Sequence, residues 1–369
     1  MDKYTKLIDL GKFAGIRDTI PQEELINYKK LFNKTYSASQ QESKRTHCYY
    51  CNKPCNSFCN SHTIPAFCLK YISKNGKLYH MNTMVDIPFL KKDKGVKEAG
   101  VFHIICRDCD SKIFQDYENE NNYDKIPTTK MLAQIAMKNS LKLISKREFE
   151  NALYNEMSRN LGCPSAITDF KHIVNAMDLK EYISAYNKAK KSSLKPFDGD
   201  YHIYTHIELP YRVPIAFQGS VALICDLEGK VVNDIYNYNA NYEIKNVHLC
   251  VFPFNSKSII MLFVENGNKR YSSFFKQFKK LPLEEQLKVV NYIIFAYTED
   301  FFMSPVLSDN TISELTKTAC KSTELVSSNP LLNGVETAVE HFSFDEMNTI
   351  PNILSEEYKI NEESKGTTI

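Results

Sequence analysis

The chain has 369 residues, 43% of them hydrophobic and 12% aromatic, and its 46 Lys and Arg against 44 Asp and Glu leave a formal net charge of +2. That length and apolar content give room for two domains with real cores and exclude a chain too polar to fold. No charged-then-apolar leader follows Met1 and no run of about 18 apolar residues occurs, so a cytoplasmic protein, neither exported nor membrane-spanning, is expected.

Eleven cysteines without an export signal argue for bound metal in a reducing compartment and against a disulfide scaffold. The near-neutral total hides an asymmetry: residues 1–150 carry 25 Lys and Arg against 17 Asp and Glu, residues 151–309 balance at 17 each, and residues 310–369 have 4 against 10. A basic first third suits a polyanionic partner, because neutralising phosphates supplies much of nucleic-acid affinity. Lysines that only solvate a surface would give the same excess.

Residues 1–47 read as a helical lead-in and linker. Ile20-Pro21-Gln22-Glu23-Glu24 starts a helix reaching about Phe32, and the polar stretch 34–47, with Ser37, Ser39 and Ser43, reads as the linker. The stretch 48–120 follows. It opens with Cys48-Tyr-Tyr-Cys51-Asn-Lys-Pro-Cys55-Asn-Ser-Phe-Cys59, continues into Ser61-His62-Thr63-Ile64-Pro65, and closes with Cys106-Arg-Asp-Cys109-Asp110. A tetrahedral zinc site takes four thiolates, and a two-residue spacing lets one tight turn present two sulfurs. Cys48, Cys51, Cys106 and Cys109 have that spacing in both pairs and are the preferred ligands, with Cys55 and Cys59 as a competing set. Between the pairs, Ser61–Pro65 reads as a short strand, Ala66–Ser73 as a short helix, Asn75-Gly76 as a turn and 77–81 as a returning strand. Residues 86–99 read as loop, 100–105 as a strand, and 110–120 as a helix. Knuckle, hairpin and helix in that order make a treble-clef zinc unit.

The order C-x-x-C, a His-x-x-Pro strand, then C-x-x-C followed at once by a polar residue resembles the zinc-stapled branch of the HNH endonucleases, the ββα-metal nucleases, over about a fifth of the chain. The resemblance implies structural Zn²⁺ on the paired cysteines, His62 as general base, Asp110 as ligand of a catalytic Mg²⁺ or Mn²⁺, and Asn82, ahead of Asn75, as the middle asparagine. It also implies a nucleic-acid substrate, DNA ahead of RNA. The chemistry is consistent: imidazole is the side chain that can deprotonate water near neutral pH, and a hard carboxylate can hold a cation against phosphate charge. The family often has an acid before the histidine and a histidine or asparagine after the last cysteine, whereas Ser61 and Asp110 stand here. HNH modules with an added domain often serve defence or mobile elements, which extends to this chain only by analogy. Treble clefs also occur as non-catalytic zinc modules that bind nucleic acid or protein, with their histidine in the core or on the zinc.

Residues 121–190 read as helical. Met131, Ile135, Ala136, Met137, Leu141 and Ile144 recur at helical intervals as core positions, and Lys138, Lys142, Lys146 and Arg147 are expected on an exposed side, where they could touch phosphates or simply form a solvated face. Gly162–Ser165 marks a break before a second helix, about 167–190. The turn-rich stretch 190–199 is expected to end this region, with a separately folding unit over 199–305. There the pattern changes to period 2: strands at 201–209, 220–226, 230–233, 247–253 and 258–265 form an antiparallel sheet backed by helices at 272–280 and 283–297. His202 and His206 share a strand face, which makes a second metal site conceivable. Tyr211-Arg212-Val-Pro214 is an irregular link where a ligand or protein partner could be met, or a plain loop. Residues 306–369 read as an acidic, partly disordered tail. The expected fold class is α+β: a zinc module with a helical extension, then an α+β domain.

Overall fold

A computed structural model describes residues 22–84, 87–161, 165–239, 241–298, 300–318 and 334–361. Three long helices come from the first half of the chain: α1 (Gln22–Glu42), with α5 (Thr129–Leu161) and α6 (Ser165–Leu194) lying against each other as a hairpin. Between α1 and α5 lie β1 (Ser61–His62), α2 (Ala66–Ile72), β2 (Lys77–Met84), β3 (Ile87–Gly95), β4 (Val101–Phe102), α3 (Arg107–Ile113) and α4 (Gln115–Glu118). The second half supplies β5 (Tyr201–Leu209), β6 (Ile215–Val221), β7 (Val247–Pro253), β8 (Ser258–Glu265), α7 (Ser272–Phe278), α8 (Leu283–Tyr297), β9 (Asp300–Met303), α9 (Asp309–Thr318) and α10 (Val335–His341). The fold is α+β, as expected, and no helix among the described residues is long and apolar enough to cross a membrane.

Seven strands form one antiparallel sheet in the order β3-β2-β9-β6-β7-β8-β5. Its central strands alternate between two cores. Phe301 and Met303 point to one side and Phe302 to the other; Ile260, Leu262 and Val264 oppose Ile259, Met261 and Phe263 in the same way. On the first side lie α7, α8 and the chain after 305; on the second lie the cysteine-rich segment and the first half of α5. Both faces are covered, which is why 247–253 and 258–265 read as nearly continuous apolar runs although a one-sided antiparallel sheet would alternate.

Several boundaries differ from the sequence expectations. The stretch 34–42 is helix: Thr35 and Ser39 are its buried positions, with the Ser39 hydroxyl donating to the Thr35 carbonyl at 2.7 Å. Residues 87–95, expected as loop, form β3 paired with β2. The strand expected at 220–226 sits at 215–221, and 230–233 contributes only a bridge between Cys225 and Val231. Residues 190–194 continue α6, with Ser192 and Ser193 buried.

The sheet expected within 199–305 takes in β2 and β3 from the cysteine-rich segment. β2 pairs with β9, so Tyr79 faces Met303 and Asn82 faces Asp300. His80, stacked on Phe302 with ring centroids 4.5 Å apart, bonds the Asp300 carboxylate at 2.6 Å, and Lys142 of α5 pairs with the same group. The acidic tail is not loose where it is described: Ile312, Leu315, Phe342, Ile353 and Leu354 are buried in the core. The expectations for residues 20–21, for the break at 162–164 and for the last dozen residues fall wholly or mostly outside the described residues.

Candidate metal centre

The Sγ atoms of Cys48, Cys51, Cys106 and Cys109 all lie within 4.8 Å of one another, the one such group of metal-ligating side chains among the described residues. Local backbone geometry brings them together. The first pair sits on a tight turn in which Asn52 donates to the Cys48 carbonyl at 2.8 Å and takes φ 55°, a left-handed conformation that asparagine tolerates. Cys106 caps α3 and Cys109 lies in its first turn. The Tyr49 N–H bonds the Ile104 carbonyl at 2.8 Å and the Cys106 N–H points at the Cys48 sulfur at 3.3 Å, which closes the two pairs on each other.

The donors suit a thiophilic cation. Four thiolates around zinc at about 2.3 Å would stand roughly 3.8 Å apart, within the observed spread. Burial opposes ionisation of Cys48, yet the backbone N–H groups of Cys51, Cys106 and Tyr50 converge on it and bring its thiol down to about 7. Cys109 is held well up by burial and by the neighbouring sulfurs. A cluster of this kind can hold a metal ion such as zinc, which would supply the charge that lets all four ionise. The competing sulfurs point elsewhere: Cys55 donates to the Ser57 carbonyl at 2.7 Å and Cys59 to the Asp110 carboxylate at 3.3 Å. Burial and that carboxylate push Cys59 up to about 11.

The cluster is pinned to α5 and α6. Arg45 lies over the Tyr49 ring at 4.5 Å and pairs with Glu148 of α5. Lys190 of α6 donates to the Tyr50 carbonyl at 2.8 Å, with its ammonium 4.0 Å from the Tyr50 ring centroid.

His62 and Asp110 come into the same neighbourhood, each with partners of its own. His62 pairs with Val101 across the β1–β4 ladder, and its Nε2 lies 3.1 Å from the Val96 carbonyl. A carbonyl only accepts, so Nε2 carries the proton and Nδ1 the lone pair of the neutral ring. Burial lowers the His62 pKa, with the Lys138 charge adding to it against the pull of Val96 and Asp110. Asp110 accepts from the Ser61 hydroxyl at 2.5 Å and from the Lys138 ammonium at 2.8 Å, both on Oδ1, while Cys59 reaches Oδ2. Burial alone would raise Asp110; Lys138 and these hydrogen bonds hold it below the usual range. Asn82 lies in β2 opposite Phe89 and Asp300, and its side chain is outside the described residues.

Lys138, expected on an exposed face, is fully buried. Its ammonium bonds Asp110 and, at 2.9 Å, Glu118, and sits 3.9 Å from the Phe114 ring centroid. Its spacing was the available signal: it falls seven residues after Met131 and three after Ile135, on the apolar stripe of α5. Lys142, one turn further on, is spent on Asp300 in the same way. His202 packs edge-on against Tyr204, and neither it nor His206 belongs to a metal-ligating group among the described residues.

Comparison of the chain with protein families, with curated proteins and with solved structures finds no match.

Proposed function

We propose that the cysteine-rich segment is a zinc-stapled, treble-clef-like module that binds nucleic acid without hydrolysing it, with the sheet and the long helices as its rigid support. Lys138 carries this reading. Asp110 already holds a cation, an ammonium inside the protein shared with Glu118. For Asp110 to take Mg²⁺ or Mn²⁺ the ion would sit beside that fixed charge. Two unit charges about 4 Å apart repel by about 4 kcal/mol at an effective dielectric of 20, and a divalent ion doubles the figure. The basic excess of residues 1–150 supports a polyanionic partner.

A metal-dependent HNH-like nuclease is the second reading, and one observation favours it. His62 anchors one ring nitrogen on a backbone carbonyl and keeps the other as a neutral acceptor, the form a general base needs.

One set of measurements separates the two. The purified protein is analysed for zinc, titrated with labelled DNA and RNA at several salt concentrations, and incubated with the same nucleic acids and Mg²⁺ or Mn²⁺. The binding reading expects about one zinc per chain, affinity that falls with salt, and no cleavage, with His62→Ala unchanged in zinc content and binding. Cleavage that disappears in both His62→Ala and Asp110→Ala while zinc is retained would replace it with the nuclease. Absence of binding to every nucleic acid at about 50 mM salt, where phosphate contacts are strong, would remove the nucleic-acid partner.

A further inference from the structure

The irregular link after β5 is not a plain loop. Arg212 is 5% exposed, and with Lys70, Tyr71, Lys74 and Ser304 it lines a cavity of about 70 Å³. One water needs only about 10–15 Å³, so the space takes a small polyatomic ligand. Four stretches far apart in sequence build it: the end of α2 and the turn after it, the 211–214 link, the residues following β9, and the chain near Ile360. They are tied together by hydrogen bonds to main-chain carbonyls. Ser304 donates to the Pro214 carbonyl at 2.8 Å, Ile360 to the Arg212 carbonyl at 2.9 Å, and the Tyr211 hydroxyl to the Leu354 carbonyl at 3.0 Å.

The charge of the lining is one-sided. Three of its described side chains are cationic and none is acidic. The carbonyl of Lys70, in the last turn of α2, is occupied by the N–H and hydroxyl of Ser73, at 3.3 and 2.9 Å. The Tyr71 hydroxyl is turned to Glu120 at 2.8 Å. A buried guanidinium flanked by two exposed lysines is the donor set that planar and tetrahedral oxyanions select. Beside the cavity, bordered in common by Val306 and Ile360, lies a second space of about 360 Å³ with Ser308, Thr311, Glu357, Tyr358 and Lys359 on its walls, so the cationic bias belongs to the inner cavity.

We infer that this is a phosphate-binding site: the inner cavity takes a phosphate group against Arg212, Lys70 and Lys74, and the outer space takes the remainder of a phosphomonoester when there is one. The site goes beyond the nucleic-acid reading of the zinc module and stands if that reading fails. Because the ligand would touch the cysteine-rich segment, the sheet and the tail at once, its binding stiffens the joint between them.

The full chain is titrated calorimetrically with inorganic phosphate and with 5′-AMP as a phosphomonoester, and its melting temperature is followed with each. Saturable binding of one phosphate per chain is expected, with a melting temperature that rises with phosphate concentration. Lys70→Ala/Lys74→Ala changes two exposed side chains and leaves the fold intact; it should weaken phosphate by about tenfold or more, and Arg212→Gln should abolish it. Tighter binding of 5′-AMP than of phosphate assigns the monoester, and equal binding assigns the free anion. No saturable binding of either probe, or binding unchanged in the lysine double variant, overturns the site.

Discussion

Lys138→Met removes an ammonium and keeps most of the stem that packs on Phe114. Asp110 and Glu118, whose side chains are 16% and 31% exposed, are then left facing each other without a counter-charge. Deleting one partner of a buried ion pair typically costs about 3–5 kcal/mol, because the desolvated charge that remains has nothing to offset it. The partial exposure of Glu118 puts the expected loss at the lower end, about 3 kcal/mol. The loss should depend on pH with a definite sign. In the variant the carboxyls can relieve the strain by taking protons, Glu118 first because burial already raises it, so the difference from wild type shrinks as pH falls from 7 towards 4. In the wild type the depressed Asp110 works the other way. Its stabilisation is complete above about 4, the unfolded value, and is lost as pH falls through its lower folded value. Urea titrations followed by circular dichroism at constant zinc measure both effects. Adding Asp110→Asn and Glu118→Gln to Lys138→Met should recover part of the loss, since a neutral cluster no longer needs the ammonium. A cost below about 1 kcal/mol, the value of a surface ion pair, would refute the assignment of Lys138 as an internal counter-ion.

Three further outcomes follow from the same structure. With zinc on the four cysteines, as proposed, its chelation should unfold the cysteine-rich segment, since structural zinc can contribute about 10 kcal/mol or more; unchanged near-ultraviolet dichroism after verified zinc removal would contradict it. His248 is half-buried, with Asn139 against its Nδ1 at 3.2 Å, and loss of hydration lowers its pKa from 6.5 to about 4. The unfolded chain therefore takes this proton first, and stability should fall by up to about 3 kcal/mol between pH 6.5 and 4, a slope that His248→Asn removes. A fragment spanning 199–305 should lack a cooperative melt, because β9 loses its partner β2 and the core loses Phe342, Ile353 and Leu354; a sharp transition in that fragment would count against the continuous sheet.

What could be read from the sequence was whatever a local pattern encodes. The two cysteine pairs announce their cluster through spacing alone, and 258–265 and 283–297 declare a strand and a helix by apolar period and flanking turns. The union of β2 with β9 leaves no such trace, because His80 and Asp300 are 220 residues apart and each is an ordinary polar residue in its own window. The place of Lys138 is hidden from a local pattern, because a lysine reads as a solvent-facing residue and its interior position depends on two carboxylates from other elements. Phe342, Phe344 and Ile353 look scattered in an acidic stretch, yet the sheet's first face needs them as a cover.

The late arrival of β9 has a consequence during synthesis. At a translation rate of about 5–20 residues per second, the 220 residues that separate His80 from Asp300 take roughly 10–45 s to emerge. Throughout that interval β2 has its hairpin partner on one side and an unpaired row of N–H and carbonyl groups on the other, the kind of open edge that recruits strands from neighbouring nascent chains. Slowed elongation between β3 and β9 should therefore lower the soluble yield of this protein more than the same delay placed after Met303.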